Sequence, residues 1–126
     1  MKTPITILAK SSAALVILSA LALCSCSKRP ILPTEAKDHI GEDATVCGTV
    51  YQVHPAKTGT VFINIGGGHP NQPFTAVCFK GIVPYESLKN FEGLTINVRG
   101  TIRDYQGKPE ITITSLSQIT SQNSIK

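Results

Sequence analysis

With 126 residues, 12 Lys and Arg against 8 Asp and Glu, and a formal net charge of +4, the chain has room for one small domain and too little positive charge for phosphate binding by bulk attraction. It carries no internal repeat and no heptad pattern, which excludes solenoids and coiled coils. At the N-terminus, Lys2 and Lys10 precede an almost wholly apolar or small run over 11–23, and no acid falls among them. The pattern predicts a secretory signal peptide over 1–25; the run is shorter than the roughly 20 apolar residues that a membrane span needs. Its removal leaves 101 residues with 10 basic and 8 acidic side chains, a formal net charge of +2.

Leu21-Ala22-Leu23-Cys24-Ser25-Cys26 resembles the lipobox of bacterial lipoproteins, with Cys26 as the acylated residue, because Ser25 is the small residue before it and Leu23 the apolar one three back. Cys24 fits less well, since bulky Leu23 precedes it. An ordinary signal peptide with two cysteines near its end is the alternative. The expected organisation is a signal peptide over 1–25, a polar tether over 26–35, a domain over 36–119 and a flexible tail over 120–126. The protein is expected outside the cytoplasm, in the cell envelope on a lipid anchor or, alternatively, freely secreted.

Within the domain, Glu42 to His54 predicts a first strand, rich in Thr and Val, with Gly48 marking a bend or bulge. Thr60 to Ile65 predicts the second, with Val61, Ile63 and Ile65 alternating with Phe62 and Asn64, and Phe74 to Phe79 the third. Gly66-Gly67-Gly68-His69-Pro70-Asn71-Gln72-Pro73 between them reads as a flexible loop. Pro84 to Phe91 predicts one short helix that Gly93 ends, with Leu88 and Phe91 on one side. A fourth strand starts at Leu94 and runs to Arg103, and Ile111 and Ile113 mark a fifth. The turn between them, Asp104 to Pro109, presents Arg103, Tyr105 and Lys108 to solvent.

Three short strands, a helix and two more strands are the order of an all-β, five-stranded Greek-key OB-fold barrel with one short helix between strands three and four. Its expected core is Val46, Val50, Ile63, Ile65, Ile96, Val98, Ile102, Ile111 and Ile113. Cys47 and Cys78 each sit in a strand-like run and read as small buried hydrophobes in preference to a disulfide.

The stretches His39-Ile40-Gly41-Glu42, Val46-Cys47-Gly48-Thr49-Val50, Phe62-Ile63-Asn64-Ile65-Gly66, Pro70 to Val77, Val98-Arg99-Gly100-Thr101-Ile102 and Gly107-Lys108-Pro109-Glu110-Ile111 carry a resemblance to small bacterial OB-fold proteins of the nucleic-acid-binding class. The resemblance implies a binding surface on strands two and three, bounded by the loops after strands one and four. On this chain that surface holds Phe62, Asn64, Thr75, His54, Lys57, Tyr105 and Lys108. Arg103 joins them beside the turn. An outward Phe62 can stack a base, or it can pack beneath the first loop; Asn64 can instead bond loop backbone.

No metal, cofactor or catalytic set is expected. His39, His54 and His69 fall in separate segments without clustered carboxylates or thiolates, and Gly66-Gly67-Gly68 lacks the Lys that ends a phosphate-binding loop. The expected function is a non-enzymatic, monomeric binding module for single-stranded DNA or RNA with little sequence preference. The alternatives are an envelope module for a protein, peptide or glycan, and an accessory domain of a separate nuclease.

Overall fold

A computed structural model describes residues 28–122, so the expected signal peptide, with Cys24, and the expected acylation site Cys26 lie outside the described residues. The strands are β1 (Asp43–Pro55), β2 (Val61–Ile65), β3 (Phe74–Cys78), β4 (Thr95–Thr101), β5 (Arg103–Tyr105), β6 (Lys108–Ile113) and β7 (Ile119–Ser121). Helix α1 (Tyr85–Lys89) separates β3 from β4, and 3-10 helices occupy Pro33–His39 and Leu116–Gln118. The protein is all-β. Its seven strands form one sheet in the order β5-β6-β3-β2-β1-β4-β7, antiparallel except for β3 beside β6.

Seven strands stand where five were expected. The fourth breaks at the buried Ile102: β4 before it pairs with β1, and β5 after it pairs with β6, at the other margin of the sheet. The break is held from outside, because the Ile102 N–H donates to the Glu42 carbonyl at 2.9 Å and its carbonyl accepts from the Gly41 N–H at 2.7 Å. The other additional strand is β7, whose residues Thr120 and Ser121 were expected to begin a free tail. Polar residues can hold such a position because backbone pairing with β4 needs no apolar surface, and buried Ile119 anchors the start. Gln118 braces the approach to β7: its Nε2 donates to the carbonyls of Arg99 at 2.9 Å and Thr112 at 3.2 Å, while its Oε1 accepts from the N–H of Thr114 at 2.7 Å.

β1 divides its partners. Asp43 to Thr49 lies along β4, and Val50 to Pro55 along β2, with a register break between Val50 and Gln52. The irregularity therefore falls at Tyr51, three residues beyond Gly48. On the side of β1 that β2 leaves uncovered, Ile31 forms a parallel bridge with Val46, donating to the Thr45 carbonyl and accepting from the Cys47 N–H, each at 2.8 Å. The stretch expected to be a tether as far as residue 35 is thus bound from Ile31 onward. Open strand hydrogen bonds and the burial of Pro33 and Ala36 hold it there.

Gly48 is where this segment comes closest. A Cβ there would lie 2.5 Å from Pro33 Cγ and 2.7 Å from Ile65 Cγ2. Both neighbours are conformationally stiff, so Gly48→Ala should cost about 1–3 kcal/mol in urea denaturation, the usual scale of overpacking. An unchanged midpoint would mean that the Pro33–His39 helix yields freely.

All nine expected core residues are buried, none more than 1% exposed, and Leu88 joins them from α1 while Phe91 packs partly buried against them. Each such aliphatic side chain removed from water is worth roughly 1.5–3 kcal/mol. Phe74, Ala76 and Cys78 complete the core from β3. Cys47 and Cys78 are free thiols; Cys78 is a core residue, and the partly buried Cys47 sulfur accepts from Gln122 Nε2 at 3.4 Å.

Candidate functional site

Residues directly paired across a sheet share a face, so register alone assembles the outer surface. Gln52 faces Asn64, Asn64 faces Thr75, Thr75 faces Glu110, and Glu110 faces Arg103, giving one polar row across β1, β2, β3, β6 and β5. The adjacent row is His54, Phe62, Val77 and Thr112. On the other flank Tyr105 pairs with Lys108 across a two-residue turn, in which Gln106 (φ 52°) and Gly107 (φ 84°) both take the left-handed conformation that suits a tight hairpin.

Residues of these rows, the β5–β6 hairpin and the β2–β3 loop line a groove of about 600 Å³. Six of the eight residues expected at a binding surface come together in it: His54, Phe62, Asn64, Thr75, Tyr105 and Lys108. Lys57 sits instead in the exposed turn between β1 and β2, and Arg103 is exposed on the edge strand β5; neither lines the groove. The lining also contains Gln52, His69, Gln72, Gln106, Pro109 and Glu110, none of them singled out from the sequence.

Phe62 is half-buried in the groove, and Tyr105, 59% exposed, stands at its rim. Asn64 is buried and donates from Nδ2 to Gln52 Oε1 at 3.3 Å, so this bond goes to a neighbouring strand and not to a loop. Gln72 Nε2 donates to Thr75 Oγ1 at 3.3 Å, while the buried Gln72 Oε1 has no partner among the described residues. The Lys108 ammonium donates to the Pro70 carbonyl at 2.6 Å, tying the β2–β3 loop to the β5–β6 hairpin. That loop is also fitted against β1: a Cβ on Gly68 would lie 2.7 Å from Tyr51 Cε2, so the glycine there makes room for an aromatic ring. Burial pushes the Glu110 carboxyl above its ordinary pKa, opposed by the positive charge of Arg103.

The groove lining thus carries one ammonium, Lys108, and one carboxylate, Glu110. His39 lies elsewhere, with Nδ1 3.0 Å from Glu42 Oε1 in an exposed pair that lowers the Glu42 pKa. Among the described residues no three His, Cys, Asp or Glu side chains gather as a metal site requires.

No protein-family model matches the chain, and no curated protein does. Solved structures do. OBody AM1L10 bound to hen egg-white lysozyme superimposes with a TM-score of 0.53 at 15% identity, over 75% of this chain and 94% of that one. The chain has the OB-fold. An aspartyl-tRNA synthetase from Leishmania major Friedlin matches with a TM-score of 0.52 at 14% identity over 76% of this chain. Asparaginyl-tRNA synthetase from Pyrococcus horikoshii matches with 0.51 at 17% over 73%. This chain spans only 21% and 22% of those synthetases, and at such identities the likeness is one of fold. In OB-fold terms the groove lies over strands two and three beside the β5–β6 hairpin, a face that this fold uses for oligonucleotides and oligosaccharides alike.

Proposed function

We propose that the protein is a non-enzymatic OB-fold module that binds single-stranded nucleic acid in this groove, carried on a five-stranded barrel closed through the bend at Ile102. The observation that carries the reading is Phe62: a half-buried aromatic lining an open groove, with Tyr105 at the rim and Lys108 nearby, offers ring faces to bases beside a charge for phosphate. The neighbours among solved structures support it, since they are aspartyl- and asparaginyl-tRNA synthetases. We further propose that the leader exports the protein and that Cys26 anchors it in the cell envelope.

Fluorescence anisotropy with labelled oligonucleotides tests the binding. Affinity should fall with salt with a log–log slope of about −0.7 for each phosphate contacted, hence about −2 if Lys108, Arg103 and Lys57 all take part. Absence of salt-sensitive binding at micromolar protein overturns the proposal.

A second reading, a protein or peptide partner on the same face, draws on the near balance of Lys108 and Glu110 in the groove and on the OBody neighbour, which is bound to lysozyme. Pull-down from membrane fractions with and without nuclease treatment separates the two: a partner retained after nuclease favours the second.

A further inference from the structure

We propose that Glu110 is a specificity-determining residue that makes the groove prefer bases carrying an exocyclic amine, cytosine above all among pyrimidines, over uracil and thymine. The inference rests on the nucleic-acid reading above and concerns what that site selects.

Glu110 holds the fourth place in the polar row, between Thr75 and Arg103, and its side chain lines the groove partly buried. Among the described residues its carboxylate makes no hydrogen bond, and Arg103 beside it is not within ion-pair distance. Its neighbours are already engaged: Asn64 with Gln52, and Thr75 with Gln72. Burial raises the carboxyl's pKa, the mark of a charge partly withdrawn from solvent, while the positive charge of Arg103 opposes the shift. An ionised carboxylate is acceptor-only. Whatever settles against it must therefore donate, which excludes phosphate oxygens, sugar ring oxygens and keto groups.

Phe62 and Glu110 stand two strands and two residues apart, about 12 Å at the usual strand spacing and rise. A base resting near the ring, or its neighbour along the strand, can present its edge to the carboxylate. Cytosine offers the N4 amine there. Uracil offers O4 in the same place, so a carbonyl oxygen would face the carboxylate, and its one edge donor, N3–H, lies a ring position away from the contact. Stacking on Phe62 does not distinguish the two rings, so discrimination falls to the carboxylate.

Deoxycytidine and deoxyuridine pentamers, identical except at position 4 and the N3 proton, isolate this contact. At pH 7.5 the full chain should bind the cytidine pentamer about tenfold more tightly than the uridine pentamer. E110Q should bring the two within about twofold of each other, because an amide both donates and accepts. Its thermal melt is recorded alongside to establish that it folds. Equal affinity of the wild-type protein for the two pentamers, a preference for uridine, or a preference that survives in folded E110Q overturns the inference and leaves the groove's function standing. If neither pentamer binds at any salt concentration, the functional proposal fails with it. The wild-type comparison needs no variant, so a misfolded E110Q does not rescue the idea.

Discussion

Ile111→Ala should lower the stability of the domain by about 2–5 kcal/mol, read as a shift of the urea midpoint at unchanged slope. Ile111 is fully buried on β6, and its Cγ2 lies 2.6 Å from where a Cβ on Gly100 of β4 would stand. The side chain therefore fills the space that Gly100 leaves, joining two strands that are not neighbours in the sheet. Truncation opens a cavity beside Gly100, which has no side chain of its own to fill it. Gly100→Ala alone should also destabilise, by crowding the same methyl group. In the double variant the added methyl occupies part of the cavity, so its cost should be smaller than the two single costs combined. Strict additivity would show that Ile111 and Gly100 do not share that space.

Phe62→Ala should weaken binding of a single-stranded oligonucleotide by about 1–3 kcal/mol, roughly 5- to 150-fold, with the salt slope unchanged, because it removes a stacking face and no charge. Phe62 is half-buried and faces away from the aliphatic core, so the melting temperature should move far less than in Ile111→Ala. Phe62→Tyr keeps a ring and should retain most of the affinity. Undiminished binding by Phe62→Ala would place the ligand elsewhere on the protein, and a large loss of stability would make the ring part of the packing beneath the first loop.

The inward face of the domain was legible because alternation is a local property: one apolar residue at every second position names a strand and its buried side together. What escaped depends on parity and on turn length. Val46 and Val50 are an even number of residues apart, whereas Val50 and Val53 are an odd number apart, yet all three are buried. That change of parity is the signature of the register break at Tyr51, which turns Gln52 and His54 to the same outer face. Ending the first strand at His54 left open that it faces Phe62 across the sheet.

Glu110 was missed for a related reason. The hairpin turn is only Gln106 and Gly107, so β6 begins at Lys108 and not at Ile111, and the outward positions before Ile111 become part of the sheet. Pro109 had made that stretch look like a turn; it is instead a buried strand residue opposite Asp104. Arg103 and Lys57, expected at the binding surface, are exposed cations outside the groove lining. Charge alone does not say whether an exposed residue turns into a groove: Arg103 stands beside groove-lining Glu110 on the edge strand, and Lys57 in the turn after Pro55.

The divided allegiance of β1 governs the sequence of events when the domain first forms. A chain emerging from the ribosome completes β2 and β3 long before residue 95, so Val50 to Pro55 can find their companions early while Asp43 to Thr49 wait about 50 residues for β4. Until then, half of the longest strand offers bare amides and carbonyls to any extended neighbour. The Ile31 bridge, made by residues translated before β1 itself, can shield the opposite margin of that half at once, leaving only one flank exposed during synthesis.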